Sequence, residues 1–207
     1  MKNIKRTLIT VLAMLLVCVL SVSVTLAYLY DKSATVINTF SVGNVKITLD
    51  EADVDDSDDD GSTTDRDTEN NYKLVSGATF DKDPTVHVSK YSEESYVFVE
   101  VIVDADVAAV LESDGEKSIA AQMTANGWTK LEDNIYSYNT TVTGLGKPAD
   151  VDLPIFTTIS VKSGATGEQL AAAADDDITI TAYAIQADGL GSASAAWAAL
   201  ESSLLNP

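Results

Sequence analysis

Two segments of this chain are apolar on both faces when read as extended strands, and no other feature restricts the fold so strongly. In residues 96–103, Val97, Val99, Val101 and Val103 share one face, while Tyr96, Phe98 and Ile102, with Glu100 among them, share the other. In residues 178–185, Ile178, Ile180, Ala182 and Ala184 oppose Thr179, Thr181, Tyr183 and Ile185. A strand that is apolar on one face can leave the other in water. A strand that is apolar on both must be covered twice. These segments therefore predict central strands of a sheet lying between two layers.

Shorter alternating runs rich in valine, isoleucine, threonine and aromatics recur at 35–40, 44–49, 72–75, 85–89, 135–138 and 155–161. Helical signals are fewer. Residues 116–125 place Ile119, Ala120 and Met123 at helical spacing before the Asn126-Gly127 stop, residues 167–174 are alanine-rich, and residues 192–200 follow a serine cap. The balance predicts a mainly β fold, a jelly-roll or Ig-like antiparallel β-sandwich with a few short helices. Trp128 and Trp197 are expected as core anchors rather than exposed ligand platforms. Residues 50–71 break the pattern with a nearly contiguous run of Asp55, Asp56, Asp58, Asp59 and Asp60, and are expected as a surface loop.

The first residues carry an address. A basic start (Lys2, Lys5, Arg6) leads into an almost wholly apolar run over 7–24, and Val24-Thr25-Leu26-Ala27 offers a cut between Ala27 and Tyr28. This order predicts a signal helix and peptide over residues 1–27 and a single exported domain over 28–207. The competing reading is an uncleaved anchor, since 7–30 is long enough to span a bilayer. Cys18, the only cysteine, lies inside the leader, so a cut at Ala27 leaves no disulfide and no thiolate.

The formal net charge is −19, and removing the three leader cations leaves −22 on residues 28–207. Such a charge repels phosphate backbones and anionic lipid, so nucleic acid is excluded as an expected partner and membrane contact is confined to the uncleaved leader.

Three blocks carry a family resemblance. They are Ala27-Tyr28-Leu29-Tyr30-Asp31 with Asn38-Thr39-Phe40-Ser41-Val42-Gly43-Asn44-Val45, then Lys82-Asp83-Pro84-Thr85-Val86-His87-Val88 with Ser95-Tyr96-Val97-Phe98-Val99, and finally Thr181-Ala182-Tyr183-Ala184-Ile185-Gln186-Ala187-Asp188-Gly189 before Ala196-Trp197. Together they resemble the TasA/camelysin family of exported Gram-positive proteins, processed by a W-type signal peptidase. The resemblance implies a sandwich fold and, by analogy with fibre-forming members, a biofilm-matrix role in which an extended strand of one subunit completes the next one's sheet. It also raises the metalloprotease activity attached to the camelysin name.

The residues argue against enzymatic chemistry. A zinc hydrolase site needs three protein ligands, and His87 is the only histidine; Ser-His-Asp chemistry would need the same residue, and no G-x-S-x-G turn is present. His87 is expected as a surface or packing residue. Calcium is the one cofactor with a sequence rationale: Asp56, Asp58 and Asp60 stand at the first, third and fifth positions of an EF-hand-like spacing, with Gly61 sixth and Asp67 twelfth. Thr63 replaces the usual apolar residue and no helices flank the loop, so a solvated acidic loop is the competing reading. Residues 28–40 are expected as an extended segment able to add to a neighbouring sheet, with Thr35, Val36, Ile37 and Phe40 supplying the alternation; the same residues also suit the domain's own first strand. The resulting expectation is a secreted, non-enzymatic structural protein of a cell surface or biofilm matrix. Its partners are copies of itself or other matrix components, with signal peptidase during export. The alternatives are an extracellular module binding calcium or polysaccharide, and a camelysin-like protease.

Overall fold

The computed structural model describes residues 30–33, 44–54 and 66–205. The chain forms mainly antiparallel sheets with a few short helices. One sheet has five strands: β1 (Tyr30–Ser33), β11 (Ile178–Gln186), β6 (Ser95–Val103), β8 (Ile135–Tyr138) and β7 (Trp128–Glu132), side by side in that order. A second has four, ordered β3 (Arg66–Asp67), β2 (Ile47–Ala52), β5 (Thr85–Val88) and β9 (Val151–Pro154). A small ribbon pairs β4 (Thr79–Asp81) with β10 (Thr158–Ser160). The helices are α1 (Ala105–Val110), α2 (Ile119–Ala125), α3 (Gly167–Ala172) and α4 (Ala193–Leu205), with a 3-10 turn over Ala173–Asp175.

The two strands that are apolar on both faces pair with each other over nine residues, from Ile178↔Val103 to Gln186↔Ser95. One face carries Val97, Val99, Val101, Ala182 and Ala184, which share a core with Val45, Ile47, Val86, Val88 and Leu153 of the second sheet and its approach. The opposite face carries Phe98, Tyr183 and Ile185, and α4 covers it with Ala196, Trp197 and Leu200. Trp197 packs 5.3 Å from the Phe98 ring and 5.6 Å from that of Tyr183, and its indole N–H donates to Glu132 at 2.5 Å. Glu100, the one charge that β6 and β11 contribute between Phe98 and Tyr183, accepts from the Tyr183 hydroxyl at 3.1 Å. Burial, reinforced by this carboxylate, pushes the Tyr183 phenol up to about 12.

Several expectations need correction. Residues 72–75 form no strand: Tyr72 instead meets Phe80 edge-on at 6.3 Å. The segment 50–71 is not wholly a loop, because Asp50 to Ala52 belong to β2 and Arg66–Asp67 to β3. Strand structure at 155–161 is confined to Thr158–Ser160, with Val161 in an isolated bridge to Leu111. Both tryptophans are buried, as expected of core anchors. Gly144 marks the tightest backbone approach, since a Cβ there would lie 1.8 Å from the Ser89 carbonyl oxygen.

Candidate functional site

Most residues singled out from sequence lie outside the described residues: Ala27 and Tyr28 at the cut, Thr35, Val36, Ile37 and Phe40 of the extended segment, and Asp56, Asp58 and Asp60 of the calcium spacing. Asp67 is described. It pairs with Glu51 across β2 and β3, and its carboxylate accepts the Thr68 backbone N–H at 2.6 Å.

Among the described residues, β1 forms one edge of the five-stranded sheet. β1 pairs only with the second half of β11, from Tyr30↔Ile185 to Ser33↔Ala182. Among the described residues no strand covers the outer side of Ile178, Thr179, Ile180 and Thr181. A sheet edge presents backbone donors and acceptors to an extended segment of suitable register.

A charged ladder crosses the outer face of the four-stranded sheet. Thr48 and Asp50 alternate with the core-facing Ile47 and Leu49, and His87 alternates with Val86 and Val88, so the polar residues share the outward face. His87 Nε2 lies 2.9 Å from Asp50 Oδ1, and Nδ1 lies 2.7 Å from Asp152 Oδ1 on β9. Arg66 donates from Nε to the same Asp50 and from Nη1 to Asp83 at 3.1 Å. With a carboxylate at each ring nitrogen, only the imidazolium donates both bonds. The hydrogen bond to Asp50 is the largest influence on His87, opposed by burial and reinforced by Asp152, and the net result is a raised pKa. Burial works to raise the Asp50 carboxyl, but the bonds from His87 and Arg66 outweigh it and leave it below its ordinary range.

The third feature is a buried ion pair. Glu51 follows Ile47 and Leu49 on the inward parity of β2, where a carboxylate is costly unless neutralised. Lys82 neutralises it, with Nζ at 2.9 and 2.6 Å from the two carboxylate oxygens. The Asn70 amide donates to Glu51 at 2.9 Å and to the Ala52 carbonyl at 3.0 Å, and its oxygen accepts the Val54 N–H at 2.8 Å. Lys82 Nζ also stands 5.1 Å from the centre of the Tyr72 ring. The pair lies in the wall of a cavity of about 720 Å³ between the end of β2, residues 68–74 and the start of β11. His87 does not line this cavity. Sequence reading passed over the pair because Glu51 and Lys82 are 31 positions apart and the chemistry lies in their meeting. The inward parity of Glu51 was the available signal.

Among the described residues no helix is long and apolar enough to cross a membrane, and no group of three metal-ligating side chains converges. No protein-family model, curated protein or solved structure matches this chain.

Proposed function

We propose that this chain is an exported structural protein of a bacterial cell surface or extracellular matrix, built as a jelly-roll or Ig-like sandwich, that joins copies of itself by strand addition. The observation that carries the reading is the antiparallel β1–β11 ladder at the edge of the five-stranded sheet. In the β1–β11 ladder the numbers of paired residues always sum to 215, as for 30 with 185 and 33 with 182. A segment continuing that register would set Thr35, Val36 and Ile37 opposite Ile180, Thr179 and Ile178, an extension of the ladder from residues 30–33. These are the residues whose alternation suits an added strand, with backbone bonds giving affinity and side chains giving specificity. Supplied by its own chain, the segment completes a monomer; supplied by the next chain, it links two copies. A leader over residues 1–27 would occupy the end of this segment until cleavage, which ties assembly to export.

The resemblance to the TasA/camelysin family, resting on the three motif blocks, points the same way. The non-enzymatic reading is supported by His87, because neither ring nitrogen is available as a ligand or base without giving up a carboxylate. Electron microscopy and sedimentation velocity on the chain beginning at Tyr28, across calcium concentration and pH, test the proposal. Filaments that disappear when residues 28–40 are deleted support it. A chain that stays monomeric in every condition removes it.

A further inference from the structure

Glu51, Asn70 and Lys82, well separated in sequence, meet at one carboxylate. Lys82 Nζ lies 2.9 Å from Glu51 Oε1 and 2.6 Å from Oε2, and the same Oε1 accepts from the Asn70 amide at 2.9 Å. Nζ and Asn70 Nδ2 are therefore no further apart than twice that bond length. The Asn70 carbonyl oxygen accepts the Val54 N–H at 2.8 Å. The Glu51 and Lys82 side chains are 8% and 10% exposed. An apolar pair of similar volume would avoid their desolvation, so stability alone gives little reason for two charges here.

An amine and a carboxamide sharing one carboxylate are the parts of an amide exchange. Moving a proton from Nζ across the 2.6 Å contact to Glu51 leaves a neutral amine and a neutral acid, and withdrawal from water penalises only charged groups so strongly. The amine is then a nucleophile, and the flexible lysine stem can turn it from Glu51 onto Asn70 Cγ. As the new C–N bond forms, the carbonyl electron pair moves to Oδ1, where the Val54 N–H already donates and favours the growing negative charge. Nδ2, bonded to Glu51 Oε1, takes up a proton, its own C–N bond breaks, and ammonia departs. Of the two protons that Nζ gives up, one leaves in the ammonia and one stays on Glu51. Nothing is oxidised or reduced, and both charges of the buried pair are gone. Asn70 lines the adjoining cavity, which gives the ammonia a way out.

We infer that Lys82 and Asn70 join in an intramolecular isopeptide bond, formed by the chain itself with Glu51 as proton carrier and the Val54 N–H as oxyanion donor. The bond ties the segment following β3 to the residue following β4, both beside the end of β2. It is independent of strand addition, because it needs no second copy of the chain, and an absence of filaments leaves it standing. The ion pair is the state before closure, so its energetics belong to chains that still have the mass of the sequence.

Intact-mass spectrometry of the full chain, unfolded in acid after incubation at neutral pH, tests it. The expected mass is lower than that of the sequence by one ammonia. Trypsin then releases one branched peptide joining residues 67–73 to 74–90, uncut at Lys82. Lys82→Arg, which keeps the charge without the nucleophile, and Glu51→Gln, which removes the proton carrier, both keep their full sequence mass. Fluorescence of the buried Trp128 and Trp197 shows whether these variants fold; if they do not, the branched peptide of the unsubstituted chain decides alone. A full sequence mass with no branched peptide overturns the inference. So does an ammonia loss that persists in Lys82→Arg or maps within residues 67–73, which marks a cyclic imide at an asparagine and not a cross-link.

Discussion

Replacing Lys82 by methionine keeps most of the side-chain volume and removes the ammonium group. Glu51 then loses both charge-assisted contacts, at 2.9 and 2.6 Å, and among the described residues keeps the side-chain bond from the Asn70 amide. The two side chains are 10% and 8% exposed, which puts the pair in the buried class rather than among surface bridges. Breaking such a pair from one side costs about 3–5 kcal/mol, because the surviving charge stays buried without compensation. A domain of this size is stable by only about 5–15 kcal/mol, so the loss would be plain in any unfolding curve. Glu51→Gln alone should cost a similar amount. The double variant Glu51→Gln/Lys82→Met should return to within about 1 kcal/mol of the starting protein or exceed it, since no buried charge remains. The coupling energy of the cycle is therefore at least about 5 kcal/mol. Urea unfolding followed by tryptophan fluorescence suits the measurement, because Trp128 and Trp197 are both buried. A Lys82→Met loss under about 0.5 kcal/mol with additive effects would refute the reasoning. It would mean that water from the cavity already solvates Glu51.

The remaining predictions concern the ladder, a backbone contact, the helix cover and the acidic segment. His87 is raised above its ordinary 6.5, so its stabilisation is complete below that value and is lost as pH rises through the folded-state pKa. Asp152 is 64% exposed, so the effect belongs on the surface scale. His87→Gln should lose about 0.5–1 kcal/mol near pH 5 and show a shrinking difference at alkaline pH, read from urea midpoints. A difference that grows with pH would contradict the sign. Gly144→Ala places a methyl against the Ser89 carbonyl and should cost about 1–3 kcal/mol in thermal unfolding, while Gly164→Ala, with open space around its Cβ and no left-handed backbone, should cost less. Leu200→Ala, in the fully buried seam between α4 and the sheet, should cost about 2–5 kcal/mol by urea unfolding. If Asp56, Asp58, Asp60 and Asp67 hold calcium, saturable calorimetric binding should be weakened by Asp58→Asn; a linear, non-saturating response would leave only a solvated acidic loop.

Those parts of the fold that depend on one strand's own pattern were legible in the sequence. β6 and β11 declare themselves because both faces are apolar, and the structure supplies a layer for each. The C-terminal helix was legible from its serine cap and small-residue run, although it continues to Leu205. Edge elements were not legible. β3 is two residues long, β9 is short and closes on Pro154, and β7 alternates weakly, with Thr129, Lys130 and Glu132 exposed. The 72–75 run misled because its alternation served packing of Tyr72 against Phe80 rather than a ladder. α1 was hidden because six residues immediately after a strand give little periodicity to read. His87 was foreseen as a surface or packing residue, but its flanking carboxylates come from Asp50 and Asp152, which cross-strand register alone brings together. The Lys82–Glu51 pair was missed for the same reason.

Strand exchange between copies is tested most directly by an engineered disulfide. Cys18 lies ahead of the expected cut, so the chain beginning at Tyr28 has no thiol of its own. Val36→Cys is made in one sample and Thr179→Cys in another, at positions that a continuation of the β1–β11 register would set opposite each other, and the two are mixed under oxidising conditions. Trans addition predicts a disulfide-linked pair containing one chain of each kind, formed within filaments and absent when Thr179→Cys is replaced by Thr129→Cys on the far edge. If the mixture yields no linked pair while a single chain carrying both cysteines closes on itself, the segment serves only its own sheet and the assembly account is wrong.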